Sequence, residues 1–517
     1  MNKKITTILF LIITFVVIIL AFLQVRPIIK KTPPKDFKAI TISEANKVKQ
    51  DNSMALSFLY NITREKHPIG SEENYHVRDY IIGCLEECNV EFEKISVPLD
   101  EKFFTEIKET KKKEYERIKN ETYEDFKKNA PNGDVDAFIK NDLNYNSFDE
   151  YYDKEIGGEI DFDKALDDSY NNNVTKYKDR SLTNILVSLS KNNKIDGQNI
   201  LLVAHYDSAE KSYGASDDGM AVAGLLETIR LYNNQNFKNN IYILFTDGEE
   251  AGLWGANEFV KSNSQKFDLI INFDNCGSSG NPILYHYTNG NIAKQCFKII
   301  NKEVSYSITN DILHNPDSKF FQGETSDAFL FAKNGYTILD FALTADAFNY
   351  HSENDSFDNV NTDSLKKITS TMIQIVSYYG NNDVLRPSNE KFIFFKIMPG
   401  IELALHQSIY ITIVIVCLII SFGYIIWLFK KKDKIIKRII NIVLTVASLV
   451  VLILFRSPSL LIILPVILFL ISDLIKNKKI KLIFMLVSFE LYLFVLIQFI
   501  VPFIEYLYWI LAFWKNK

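Results

Sequence analysis

Cysteine is scarce in this sequence: Cys84, Cys88, Cys276, Cys296 and Cys417 are scattered through 517 residues, with no C-x-x-C pair among them. That excludes a disulfide framework and a cysteine knuckle for metal, so the fold must stand on its apolar core. Cys84 and Cys88, four apart, fit one helix face as two small buried thiols at least as well as they fit a site. A surplus of one charge is also missing: Lys plus Arg is 58 against 63 for Asp plus Glu, a net charge of −5. So neutral a chain has no overall field to recruit nucleic acid, which is set aside as a partner. Internal repeats are absent too. The uncharged run Ile5–Val25 lacks small residues of the A-x-A type near its end, where AFLQVR offers only Ala21. That absence argues against a cleaved signal peptide, and roughly 20 apolar residues in a row read as an uncleaved transmembrane anchor.

A second apolar region opens near His406 and runs almost to the C-terminus. Its runs, Ser408–Phe429, Ile439–Phe455, Leu460–Ile475 and Leu482–Trp514, are separated by KKKDKIIKR (Lys430–Arg438), RSPS and KNKKIK. Two spans lie between the two strongly basic loops, which therefore share a side, and the positive-inside bias makes that side cytoplasmic. The whole segment between Val25 and Ser408 is then outside. Leu482–Trp514 is too long for one ordinary span, and Pro502 and Glu505 interrupt it. It is either one helix plus an interfacial segment with Tyr506, Tyr508 and Trp509, or two short crossings. Glu490, mid-span, is a functional candidate by position, although a protonated or helix-paired carboxyl inside the bundle is the better reading. The expected layout is a cytoplasmic tip and anchor over 1–25, a linker over 26–40, an extracytoplasmic domain over 41–395 and a membrane domain of four or five spans over 404–517. Such a chain is a multi-pass protein of the cell membrane, with the lipid bilayer as a partner.

Strand signals in the outer domain are NILVSL (Asn184–Leu189), NILLVAH (Asn199–His205), NIYILFT (Asn240–Thr246), DLIINFD (Asp268–Asp274) and YTILDFAL (Tyr336–Leu343). Continuous apolar runs, rather than alternating ones, predict strands covered on both faces. GMAVAGLLETIRLY (Gly219–Tyr232) and AGLWGANEFVKS (Ala251–Ser262) carry helical patterns between them. Strand and helix alternate, so the expected fold class is α/β: a three-layer α/β/α sandwich with a largely parallel mixed sheet. The stretch Glu101–Lys178 is dense in Lys, Glu, Asp, Asn and Tyr with little apolar periodicity. It reads as a surface insertion, partly helical near Phe103–Phe126, whose charge fits a plain solvated face as well as a binding role.

Open α/β sheets place their sites outside the carboxyl ends of strands, and three strands here end in metal-type ligands. NILLVAH delivers His205 and then Asp207; NIYILFT is followed by Asp247, Glu249 and Glu250; DLIINFD delivers Asp274. Two loops add Asp217 and Asp218 in GASDDG and His351 in YHSENDSFDNV. Singly, each has an ordinary explanation: a hydrogen-bonded histidine, a turn or helix-capping aspartate, a surface pair of glutamates. Together, two histidines and four or more carboxylates converge on one edge. That mixture of nitrogen and oxygen ligands suits zinc, with room for a second ion. The adjacent Glu249 and Glu250 can then divide two tasks, one ligating metal and the other taking a proton from the attacking water.

Read together, HPIGSEENYHVRDYI (His67–Ile81), AHYDS, GASDDGMAVAGLLE, TDGEEAGLWGA, NFDNCG, TSDAFLF and YHSENDSFDN resemble the co-catalytic zinc exopeptidases of clan MH, and most of all their membrane-bound vacuolar and endoplasmic-reticulum branch. The motifs run in family order across most of 62–360 and leave the charged insertion and the C-terminal runs unmatched. The resemblance implies two zinc ions, His205 and Asp274 on one, Glu250 and His351 on the other, and Asp217 bridging both. It further implies Glu249 as general base, Asp207 as the carboxylate that orients His205, Asp327 at the pocket edge or as a helix cap, and His67 as structural. The implied activity is that of an aminopeptidase acting on peptides outside the cytoplasm. A glutaminyl-cyclase-like transferase with one zinc, or a metal-free receptor or scaffold like the transferrin receptor ectodomain, are the rival readings on the same fold.

Overall fold

The computed structural model describes residues 31–48 and 53–300, apart from short breaks at 131–132, 144, 157–160, 191–193, 195 and 234, and then 305–306, 326–388, 390, 392–398, 401–406, 408–409 and 412. The expected anchor at 5–25, the apolar runs beyond residue 412, Glu490 and Cys417 lie outside the described residues. Among the described residues no helix is long and apolar enough to cross a membrane.

Three helices come first, α1 (Ile42–Val48), α2 (Ser53–Ile62) and α3 (Glu72–Cys88), followed by strand β1 (Glu91–Pro98). Helices α4 (Glu101–Asn129), α5 (Val135–Asp142), α6 (Phe148–Tyr151) and α7 (Phe162–Lys176) precede β2 (Ser181–Ser188) and β3 (Asn199–His205). Strand and helix then alternate through α8 (Met220–Tyr232), β4 (Asn240–Thr246), α9 (Trp254–Ser262), β5 (Leu269–Phe273), β6 (Ile283–Tyr287), α10 (Gly290–Ile300), β7 (Ser305–Tyr306), α11 (Asp327–Lys333), β8 (Ile338–Ala342) and α12 (Thr362–Tyr379). An antiparallel hairpin of β9 (Phe392–Met398) and β10 (Ile401–His406) follows, spanning the gap between 395, where the sequence predicts the outer domain to end, and 404, where it predicts the membrane region to begin.

The described residues divide into two compact units, Ser96–Thr183 and the remainder. In the larger unit the sheet order is β1-β2-β4-β3-β5-β8-β6-β7. Strands β4, β3, β5 and β8 are mutually parallel, while β2 runs antiparallel to β4 and β6 antiparallel to β8. This is the mixed, largely parallel sheet that the uninterrupted apolar runs predict. The period of two sorts each strand between two cores. Ile200, Leu202, Ala204, Ile241, Ile243 and Phe245 face a cluster with α2, α3, α8, α10 and α12, and Leu201, Val203 and Leu244 face one with α9 and α11. Both faces are therefore dry, and every residue of β4 is buried. Because the four parallel strands point the same way, His205, Thr246 and Phe273 finish on one edge.

The smaller unit corrects the picture of a plain solvated face. Its charges point outward and pair along the helix, as Arg117 does with Glu114 and Glu121. Inside, Val135, Ile139, Phe148 and Tyr152 form a core covered by Tyr115, Tyr123 and Phe126. Tyr123 meets Phe148 edge-on at 5.1 Å and Tyr115 stacks on Phe162 at 3.8 Å. The core uses aromatic rings with polar tips, which an apolar count undervalues.

Helix α9 begins at Trp254, three residues later than its apolar pattern predicts, because Gly252 and Leu253 take positive φ values of 119° and 58°. Gly255, in its first turn, is pressed against the loop after β4: a Cβ there would lie 2.4 Å from the Asp247 carbonyl oxygen and 2.5 Å from Asn184 Oδ1. Gly255→Ala must push that backbone away. We expect a loss of about 1–3 kcal/mol, read as a lower urea midpoint with unchanged slope; an unaltered midpoint would show that the loop yields freely.

Candidate metal centre

β3 delivers His205 to the carboxyl edge, buried to 2% exposure. The chain then turns through Asp207 and Ser208 and reaches Gly214 in the left-handed region at φ +62°, where a Cβ would lie 2.8 Å from Ser208 Cβ. A wide helical turn, Ala215–Gly219, follows before α8, and within it Asp217 leaves helical geometry at φ −114° and ψ 90°. Strand β4 hands over to Asp247, Gly248, Glu249 and Glu250; Asp274 follows β5; His351, at φ 54°, comes nine residues after the end of β8.

These loops bring five side chains into two groups that share a member. His205, Asp217 and Asp274 form one and Asp217, Glu250 and His351 the other; within each, one ligand atom per residue lies within 4.8 Å of the others. His205 Nε2 is 3.1 Å from Asp217 Oδ1 and 4.0 Å from Asp274 Oδ1. His351 Nε2 is 3.2 Å from Asp217 Oδ2 and 2.9 Å from Glu250 Oε2. The two oxygens of Asp217 thus face two different imidazoles.

Asp207 reaches His205 with its main chain as well as its side chain. The nearer partner of His205 Nδ1 is the Asp207 main-chain carbonyl at 3.0 Å, with carboxylate Oδ1 at 3.5 Å. The carboxylate is taken up by the adjacent glutamates: Oδ1 accepts the Glu249 N–H at 3.0 Å and Oδ2 the Glu250 N–H at 3.2 Å. Asp207 therefore holds the glutamate turn as well as the imidazole. Asp218 lies outside both groups and accepts from Asn275 Nδ2 at 3.0 Å. Asp327 opens α11 and accepts from Thr246 Oγ1 at 2.6 Å, so it braces the end of β4. His67 is buried, and its main chain is tied to Ser208 through both its N–H and its carbonyl. His76 is exposed and pairs with Glu73.

Two residues of the site escaped sequence reasoning. Tyr350 stacks its ring on His351, centroids 3.8 Å apart. Asp355, with no exposed surface, accepts hydrogen bonds from the loop that carries Asp217. Both sat inside the quoted YHSENDSFDN motif, yet nothing in spacing alone distinguishes a brace from an ordinary turn residue.

So much negative charge in a buried space sets the electrostatics. Burial raises the carboxyl of Asp217, but the bonds from His205 and His351 outweigh it and hold it below the usual range. His351 shows the reciprocal effect: burial depresses it, yet Asp217 and Glu250 lift it to about 10. Burial, reinforced by Asp217, pushes Glu250 up to about 7. Glu249 and Asp274 are held well above the usual carboxylate range by burial and by neighbouring carboxylates. Glu250 Oε1 is buried without a hydrogen-bond partner, and Asp217 Oδ2 and His351 Nε2 face each other at 3.2 Å in the same buried space. Converging ligand atoms of mixed nitrogen and oxygen type fit divalent cations such as zinc, which would neutralise the surplus.

Residues 184–376 match the model of peptidase family M28. The chain is similar to vacuolar membrane proteases of Candida dubliniensis (27% identity, 47% of this chain and 27% of the relative) and Candida tropicalis (32% identity, 35% of this chain and 20% of the relative). It therefore spans only about a quarter of the length of these curated relatives. Among solved structures it is similar to a zinc aminopeptidase from Bacillus subtilis, with 13% identity, a TM-score of 0.42, and coverage of 64% of this chain and 96% of that one.

A buried carboxyl beside the centre offers a test of these electrostatics. Asp340 on β8 accepts from Asn272 Nδ2 at 3.0 Å and from Ser326 Oγ at 3.4 Å, and burial pushes it up to about 7. The folded state thus holds a proton that the unfolded chain releases near its ordinary 3.8. Its contribution to stability is whole below that value and is lost as pH rises through about 7. Asp340→Asn copies the protonated form. We expect it to match the parent near pH 4 and to exceed it by about 1–3 kcal/mol at pH 8; urea unfolding at the two pH values decides, and equal stability at both would refute the assignment.

Proposed function

We propose, for a chain whose residues 184–376 belong to peptidase family M28, the activity of a membrane-anchored exopeptidase with two zinc ions, an aminopeptidase that removes N-terminal residues from peptides outside the cytoplasm. The family makes the domain a hydrolytic peptidase. One observation carries the rest of the reading: Asp217 is shared by two ligand groups, with Glu249 on the same turn as Glu250. His205 and Asp274 would hold one ion, Glu250 and His351 the other, and Asp217 both. The apolar runs at 5–25 and beyond 408, and the membrane protease name of the relatives, support the membrane location.

When bound, the two cations supply Lewis-acid polarisation of the scissile carbonyl and acidify water toward neutral pKa. Glu249 supplies the base. Its carboxyl lies among those of the ligand groups, and the two amide bonds to Asp207 fix the turn from which it reaches. It takes the proton of the attacking water and returns it to the leaving amine. Tyr350 has its phenol raised well above its ordinary range by burial and by Asp217, Glu250, Asp274 and Glu249. It therefore stays neutral beside the centre.

Three outcomes are expected. The 517-residue chain, solubilised in detergent and loaded with zinc, should cleave a peptide amidated at its C-terminus and spare one acetylated at its N-terminus. Glu249→Gln should keep its zinc and lose about 10²-fold or more in turnover; cleavage of the acetylated peptide alone, or full activity in the variant, contradicts the reading. Asp217→Ala should lose both ions, because both share that ligand, and zinc analysis after dialysis should find it near empty where the parent retains metal.

A further inference from the structure

Asp355 is fully buried, yet it belongs to neither ligand group. Its carboxylate is surrounded by donors from one loop. Oδ1 accepts the Ser216 N–H at 2.7 Å and the Ser216 hydroxyl; Oδ2 accepts the Asp217 N–H and the Ser212 hydroxyl, each at 3.2 Å. Its own carbonyl accepts the Ala215 N–H at 3.3 Å. Every one of these donors lies on the stretch that ends at Asp217, and the grip closes where that residue departs from helical geometry.

Asp355 is equally tied to the other side of the centre. Its N–H donates to the Ser352 carbonyl at 3.0 Å, and Ser352 N–H donates to Asn349 at 3.1 Å, so the turn carrying His351 and Asp355 is closed on itself. One side chain therefore joins the loop of the shared ligand to the loop of His351, 3.2 Å away from Asp217 Oδ2. Burying a charge this deep is costly unless its hydrogen bonds are made, and here four donors make them.

We propose that Asp355 is a positioning residue that holds the two oxygens of Asp217 toward the two imidazoles at once, so that the paired cation sites assemble as a single unit. The inference rests on the two-ion reading of the centre. A carboxylate with two acceptor oxygens suits the task because it fixes two successive main-chain N–H groups. With them it fixes the rotation of the Asp217 backbone about the line between His205 and His351. Without it, four buried donors would seek other partners and the loop would shift by more than a metal ligand tolerates. A bridging ligand displaced toward either imidazole serves one ion at the expense of the other.

The test is zinc binding by the detergent-solubilised 517-residue chain, titrated against a competing chelator, for the parent and for Asp355→Asn. The amide preserves shape but replaces one acceptor oxygen with a donor that faces Asp217 N–H or Ser216 N–H. The parent should fill two sites over one narrow range of free zinc. The variant should fill them in two separated steps, with overall affinity lower by roughly 10- to 100-fold, the usual scale for a partner of a metal ligand. Cobalt-substituted spectra should show the altered ligand field directly, a signature that a merely structural residue would leave unchanged. If Asp355→Asn fails to fold, the Ser212→Ala, Ser216→Ala double variant keeps the carboxylate, removes two donors and should separate the steps in the same sense. A variant that folds, loses only thermal stability and titrates like the parent overturns the inference alone. A parent that binds no zinc removes the two-ion reading and the inference with it.

Discussion

A buried carboxylate facing two imidazoles is the contact on which the centre depends. Asp217 is 2% exposed and has His205 at one oxygen and His351 at the other, from loops more than a hundred residues apart in the chain. A lone carboxylate in such a place would give up its charge. Here two cationic partners, or ions in their place, keep it ionised, and the remaining carboxylates crowd round it at the cost of their own acidity. The parallel sheet makes this possible. It ends β3, β4 and β5 on one edge, with helices on both faces shutting out water, so acids and imidazoles meet in a medium where their attraction is strong.

Holding the ligands in place takes as many residues as supplying them. Asp207 accepts the two amides of the glutamate turn, Asn74 and Asn184 bind Asp247 just before it, and Gly255 lets α9 press against the same backbone. Asp327 secures Thr246 from below. These contacts act on main chain or strand ends rather than on the reacting groups. Their chemistry is that of a rigid support: each ligand-bearing loop has at least one buried side chain whose hydrogen bonds would be lost if the loop moved.

The parts of the fold that were legible in the sequence are those in which burial is continuous. β3 and β4 coincide with NILLVAH and NIYILFT because every residue but the first of β3 is buried, and the pattern has clear ends. β1 alternates exposed and half-buried residues at the edge of the sheet, and β6 is five residues long; neither leaves a run that stands out. The smaller unit was opaque for a different reason. Its core, Val135, Ile139, Phe148 and Tyr152 under a cover of Tyr115, Tyr123 and Phe126, is set among lysines and acids, so its average composition resembles a solvated surface. At the centre, the polar residues at strand ends could be read from their convergence, since several parallel strands end in acids or imidazole on one edge. Asp355 could not, because its meaning lies in which loop it touches, and that is settled by the fold of both loops together.

A scaffold that had no use for metal would have little reason to keep this arrangement. Glu250 Oε1 is buried without a hydrogen-bond partner, and an unsatisfied buried polar atom costs about 1–3 kcal/mol. An apolar residue of similar size at Glu250 would remove that cost with no change to the sheet or its helices. A centre designed for a single ion would need only one of the two groups, and the other could relax into ordinary hydrogen bonds. Instead both remain open toward the same shared carboxylate, while Asp207 and Asp355 spend buried charge on holding them so. Under the proposed two-ion reading, positive charge between the two groups offsets this crowding, and the imidazoles on opposite oxygens of Asp217 each face one ion.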